Sequence, residues 1–179
     1  MDTRPGGFSK SRGFTLVETL IAVSIFTVSI LGLLSVLTQG SINSKYAKQK
    51  LVASYLAQEG IEYVRNMRDT YVLYDENFVQ FRNKLNSCTD INNACGFDLT
   101  FPHDIKGCNQ INDCKLYINN GGGYDTLSSG TYSGFVRKVW KENVGTGQDH
   151  IKIHSDVSWV QGSGSRNIRF TEDLFDWAE

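Results

Sequence analysis

Proline is almost missing from this chain of 179 residues: Pro5 and Pro102 are its only two copies. Nothing between them forbids a long helix, because proline is the residue that breaks one from inside. A basic surplus is missing as well. Lysine and arginine together number 18 against 19 aspartates and glutamates, for a formal net charge of -1. That excludes a general nucleic-acid binder, whose phosphate contacts need a basic surface. Recognisable catalytic and metal spacings are also lacking. His103, His150 and His154 are scattered, with no H-E-x-x-H. Gly121, Gly122 and Gly123 are followed by Tyr124 and Asp125, not by Lys-Ser/Thr and a helix, so they read as a loop and not a phosphate cradle. Asp90, Asn92 and Asn93, or Asn109, Asn112 and Asp113, could offer oxygens to calcium, but neither set matches a calcium loop. We expect no enzyme, no metal and no cofactor.

Cysteine is scarce and concentrated. Cys88, Cys95, Cys108 and Cys114 are the only four, with spacing C-x6-C-x12-C-x5-C. No pair has the short knuckle of a zinc site, so disulfides are favoured over metal. They place this part of the chain in an oxidising, extracytoplasmic compartment. Of the three possible connectivities, we prefer the two sequence-local pairs, Cys88 with Cys95 and Cys108 with Cys114.

Charge is absent from Phe14 to Leu37 except at Glu18. These 24 residues exceed the roughly 20 needed to span hydrocarbon as a helix. They are too long for the apolar core of a secretory signal, and no small-residue cleavage site follows. The leader before them, residues 1–13, is basic, with Arg4, Lys10 and Arg12 against Asp2, which keeps it on the cytoplasmic side.

Glu18 has no place in a plain anchor. A carboxylate near the middle of a membrane helix costs about 2.5 to 3.5 kcal/mol, and no cation in the apolar run can pair with it. Suppose the chain is cut between Gly13 and Phe14. The new α-amine of Phe14 then becomes a cation in the same apolar surroundings. Within one helix both charges sit at the N-terminus, where the amine meets the positive end of the helix dipole. A neighbouring copy displaced along the axis satisfies both, its Phe14 amine reaching Glu18 of the first. Such a buried pair sets register more than it adds stability.

The stretch Gly13-Phe14-Thr15-Leu16-Val17-Glu18, behind a basic leader and ahead of an apolar helix, resembles the cleavage and methylation motif of type IV prepilins and type II secretion pseudopilins. The resemblance implies cleavage after Gly13 by an inner-membrane prepilin peptidase that also N-methylates Phe14, and a role for Glu18 in assembly. The implied partners are other pilin subunits, the peptidase/N-methyltransferase and an inner-membrane assembly platform. The implied location is the inner membrane, then the cell-surface filament, with no nucleic acid as primary partner.

Beyond Ser41 the chain stays compatible with helix, and Val52, Leu56, Gly60, Tyr63 and Met67 mark one amphipathic face. A helix from Phe14 to about Arg68 would have some 55 residues and run about 80 Å. Gly32 and Gly40 are its weak points, open either to local unwinding or to close packing. Charges Glu59, Glu62, Arg65 and Arg68 predict i,i+3 and i,i+4 surface pairs. The segment Ala57 to Asp69 also resembles the end of the long helix in minor pilins of the modification type.

After Asp69 the pattern alternates. Strand-like pieces occur at Phe97 to Phe101 and Lys115 to Ile118 within an irregular stretch, residues 70–131. Three clearer strands follow at Phe135 to Lys141, Ile151 to Val160 and Arg166 to Thr171, separated by Gly-rich breaks, and they predict an antiparallel meander. The expected architecture is α+β and pilin-like: leader 1–13, membrane and assembly half-helix 14–37, amphipathic half-helix 38–69, and an extracytoplasmic domain 70–179 whose strands lie in 132–179. The expected function is a minor subunit of a type IV pilus. The alternatives are a secretion or competence pseudopilin, and an unprocessed single-pass protein with an outer binding domain.

Overall fold

The structure is a computed structural model and describes residues 13–74, 77–97, 105–110, 112–126, 130–145 and 149–176. Helix α1 runs from Leu16 to Leu73, past the expected end at Arg68. The chain divides into two compact units, residues 1–45 and 46–179.

In the first unit the helix is bare. Every large apolar side chain from Phe14 to Leu37 is exposed. The hydroxyls of Thr19, Ser24, Thr27 and Ser29 donate to carbonyls of the preceding turn at 2.8–2.9 Å, which satisfies them without water. That is the arrangement an apolar medium requires.

The second unit is α+β. The helix buries Ala53, Leu56, Ala57, Gly60, Ile61, Val64, Met67 and Tyr71. Leu56, Gly60 and Met67 of the expected face lie on this stripe, but Val52 and Tyr63 are only half-buried at its margins. The stripe's centre is set by small residues, Ala53, Ala57 and Gly60, which hydropathy underweights and which let the helix approach the sheet closely.

Against that stripe lies a seven-stranded antiparallel sheet. Strands β5 (Thr131–Asn143), β6 (His150–Gln161) and β7 (Gly164–Phe175) form the meander, each longer than the alternating runs predict. The β6–β7 turn is two residues, and Gly162 at φ 60 takes the left-handed conformation such a hairpin needs. Alternate residues Phe135, Arg137, Val139 and Lys141 of β5, and Ile151, Ile153, Ser155, Val157 and Trp159 of β6, are buried.

The described residues within 70–131 are partly regular. They supply helix α2 (Phe78–Lys84) and strands β1 (Cys95–Phe97), β2 (Ile105–Gly107), β3 (Lys115–Ile118) and β4 (Tyr124–Asp125). Strands β1 and β3 both pair with β5, opposite β6, with β2 and β4 outside them. Of the piece expected at Phe97 to Phe101, Phe97 is strand, and the remainder lies outside the described residues. Helix α2 went unpredicted; Asn77 caps it, accepting from Gln80 N at 3.1 Å, while Phe78 and Phe81 are buried. Disulfides join Cys88 to Cys95 and Cys108 to Cys114. All four cysteines are buried in the same core cluster as Phe78, Phe81 and Phe97.

The predicted charge lattice along the helix is mostly a set of ties to the sheet. Only Glu62 and Arg65 pair within the helix at the expected spacing. Arg65 also grips Glu172 of β7 through Nε at 3.1 Å and Nη2 at 2.6 Å, which raises its pKa further. Glu59 pairs with Arg137 of β5, and Arg68 pairs with its neighbour Asp69. Arg137 is buried, and its Nη1 also donates to Leu56 O at 3.2 Å.

Gly60 sits at the closest approach of helix and sheet. A Cβ there would collide with Ser155 Oγ and lie 3.3 Å from both Ser155 Cβ and Arg137 Cδ. Gly60→Leu therefore forces the layers apart, at a cost of about 3 kcal/mol. We expect melting to fall by about 10 °C in scanning calorimetry of the chain in detergent. Gly60→Ala costs less, since alanine gains about 1 kcal/mol in helix propensity. A Gly60→Leu protein melting at or above wild type would contradict this packing.

Candidate functional site

The candidate site is the start of α1. Gly13, Phe14 and Thr15 precede the helix, and all are exposed. Thr15 caps it: its Oγ1 accepts from Glu18 N at 3.3 Å, while its carbonyl accepts from Thr19 N at 3.2 Å. Thr15-Leu16-Val17-Glu18 is thus a Thr-x-x-Glu capping sequence with glutamate at the third helical position. That local signal is legible in the sequence and gives Glu18 a capping position besides its charge. The cap fixes where the helix begins, and so fixes Glu18 one turn above the Gly13–Phe14 junction.

Glu18 lies in the first helical turn, where the positive end of the helix dipole favours a carboxylate. It is flanked by exposed Phe14, Leu16, Val17, Leu20 and Ile21. The whole helix is long and apolar enough to cross a membrane, with its most apolar window wholly uncovered. Chemically, this can anchor in lipid, bury its apolar face against other helices, and offer one anionic group to a cation brought by a neighbour.

The other residues singled out from the sequence lie elsewhere. His150 pairs with Asp173 and stacks on Phe175, and His154 contacts Glu142 and Thr171 and stacks on Trp140. Both are on the sheet face away from α1, and His103 is outside the described residues. Gly121 N and Gly123 N donate to Asn119 Oδ1 at 3.0 Å, a turn joining β3 to β4. Asp90 accepts from Asn93 Nδ2, Asn93 N and Asn92 N within its own loop, and these bonds hold its carboxyl down at about 2. Asp113 is 4.0 Å from Lys115, and the side chain of Asn112 lies outside the described residues. Among the described residues no three His, Cys, Asp or Glu side chains are grouped to hold a metal.

An uncovered apolar run with a single anionic group at its helix cap fits a membrane-anchored protein. Residues 8–34 match the family model described as the prokaryotic N-terminal methylation motif. No curated protein and no solved structure matches the chain. The match covers the N-terminal segment alone and supports a likeness to the type IV prepilins and pseudopilins, and the α+β fold, with its long N-terminal helix packed against an antiparallel sheet, is pilin-like. The motif implies a prepilin peptidase and other pilins as partners, and a structural role.

Proposed function

We propose that the chain is a minor structural subunit of a type IV pilus. Its leader, residues 1–13, is removed at Gly13, Phe14 is N-methylated, and residues 14–37 hold it in the inner membrane until it enters the filament. Residues 38–69 carry the helix beneath an extracytoplasmic domain, residues 70–179. The observation that carries this reading is Glu18, the sole charge of the uncovered apolar run Phe14 to Leu37, one turn beyond the Gly13–Phe14 junction and inside the methylation motif. Two disulfides agree with a domain outside the cytoplasm.

Minor rank is supported by the region between α1 and the meander, where a short helix, four short strands and both disulfides are inserted. A principal building block must repeat one surface along the whole filament, whereas an elaborated insertion suits a subunit present in few copies. Glu18 argues against the extreme tip, where no neighbour above supplies an amine.

Quantitative mass spectrometry of sheared filaments tests the reading. We expect this chain in the filaments, at a small fraction of the most abundant pilin. Its absence from filaments made by the same cells would overturn the pilus assignment in favour of a pseudopilin. Finding it as the most abundant subunit would overturn the minor rank alone.

A further inference from the structure

Strand β7 ends the sheet with an unprotected edge. It pairs with β6 without interruption through twelve residues, Gly164 to Phe175, and among the described residues no strand pairs with its other side. Every second residue of such a strand directs its N–H and C=O outward. Proteins usually blunt long edges with proline, lysine, bulges or free charge. This one has no proline, lysine or register break. Its four charged residues are each engaged by a partner, although Arg166, Arg169 and Asp173 stay exposed. Arg166 lies over the Tyr46 ring, Arg169 bonds Asp156 and covers Trp140, Glu172 is held by Arg65, and Asp173 is held by His150. The opposite side of the sheet differs, since β2 and β4 are three and two residues long.

A groove of about 510 Å³ lies between this edge and the helix, where the next strand's inward side chains would fall. Its lining includes Gln58, Ile61, Glu62 and Arg65 of α1 with Phe170 and Glu172 of β7. Ile61 and Phe170 offer an apolar floor. Glu62 and Glu172 share the single guanidinium of Arg65, so these three side chains carry one net negative charge.

We propose that β7 is a strand-addition surface for an extended segment of a partner polypeptide, one that presents alternating aliphatic side chains and a lysine or arginine to the groove. Backbone pairing with the open edge supplies affinity, and the alternate side chains supply specificity. A second copy of this chain does not fit the role. Two-fold pairing of β7 with itself runs the two strands, and therefore the two α1 segments packed on them, in opposite directions. Two subunits anchored through their helix N-termini in one membrane cannot adopt that arrangement. The inference rests on the proposed membrane anchor in excluding self-pairing, and not on entry into a filament.

The test uses the full chain in detergent micelles and the acetylated, amidated octapeptide Thr-Val-Thr-Lys-Thr-Val-Thr-Val. We expect saturable binding that slows amide exchange in residues 164–175. Replacing the peptide's lysine by glutamate should weaken binding about tenfold, one exposed attraction being lost and one repulsion gained. Gln58→Trp fills the groove and should abolish binding without lowering the melting temperature, while Glu62→Lys should reverse the lysine preference. No binding, equal binding of the two peptides, or protection confined to other segments would each overturn the proposal. So would concentration-dependent protection of β7 without peptide, which would mean self-pairing.

Discussion

Glu18→Ala should leave the leader cleaved and the protein folded, yet exclude it from filaments. In the bare helix no charged side chain pairs with this carboxylate, and in the proposed filament its counterpart is the Phe14 amine of another subunit. Deleting one member of a buried ion pair leaves the other uncompensated, at about 3 to 5 kcal/mol. Each 1.4 kcal/mol is a factor of ten, so incorporation should fall at least about a hundredfold. The capping sequence suggests a competing explanation, in which Glu18 matters because it helps start the helix under Thr15. Glu18→Gln separates the two. Glutamine serves at the third position of a capping box as well as glutamate does, but it has no charge. We expect the Glu18→Gln protein to be excluded like the Glu18→Ala protein when sheared filaments are compared with total membrane protein. Normal entry of the glutamine variant with failure of the alanine variant would assign the residue to capping instead.

Reduction of both disulfides should destabilise the outer domain by about 4 to 5 kcal/mol. Each bridge closes a short loop, with sequence separations of 7 and 6 residues, and loops of that size contribute about 2 kcal/mol each in the chain-entropy account. Their positions add to this. Cys88 and Cys95 hold β1 beside α2, and the Cys88 carbonyl accepts from Lys141 N of β5 at 2.8 Å. Cys108 and Cys114 close the segment leading from β2 into β3. Calorimetry with and without reductant should show melting lowered by about 10 to 15 °C. Four alkylatable thiols in the unreduced native protein, or an unchanged melting temperature on reduction, would contradict the structural role of the bridges.

Long periodic elements were legible in the sequence, and short ones fixed by distant partners were not. The apolar run after Gly13 and the alternation of Ile151, Ile153, Val157 and Trp159 each carry their own period, so α1, β5, β6 and β7 could be located from such patterns. Their ends extend beyond the alternating runs because ladder pairing recruits polar residues such as Thr131, Asn143 and Asp173. Strand β3 is the exception, expected at Lys115 to Ile118 and found with those bounds. Strands β1, β2 and β4 have two or three residues each, too few for a period to show. Helix α2 announces itself only by Asn77 and Gln80 at capping spacing. The ion pairs show the same limit. Helical spacing paired Glu59 within its own helix, but Arg137, 78 residues away, competes successfully because it is buried beside Leu56 and has a charge to neutralise. At the candidate site, the Thr15-x-x-Glu18 capping spacing is present in the sequence, and the cap it makes is seen only in the folded helix.

The central claim is that this chain is a processed pilin-like subunit, and the most direct measurement is the intact mass of the protein made together with a prepilin peptidase. The account predicts loss of residues 1–13 and a mature chain that begins at Phe14 bearing one added methyl group. A mature chain that retains residues 1–13 would contradict it.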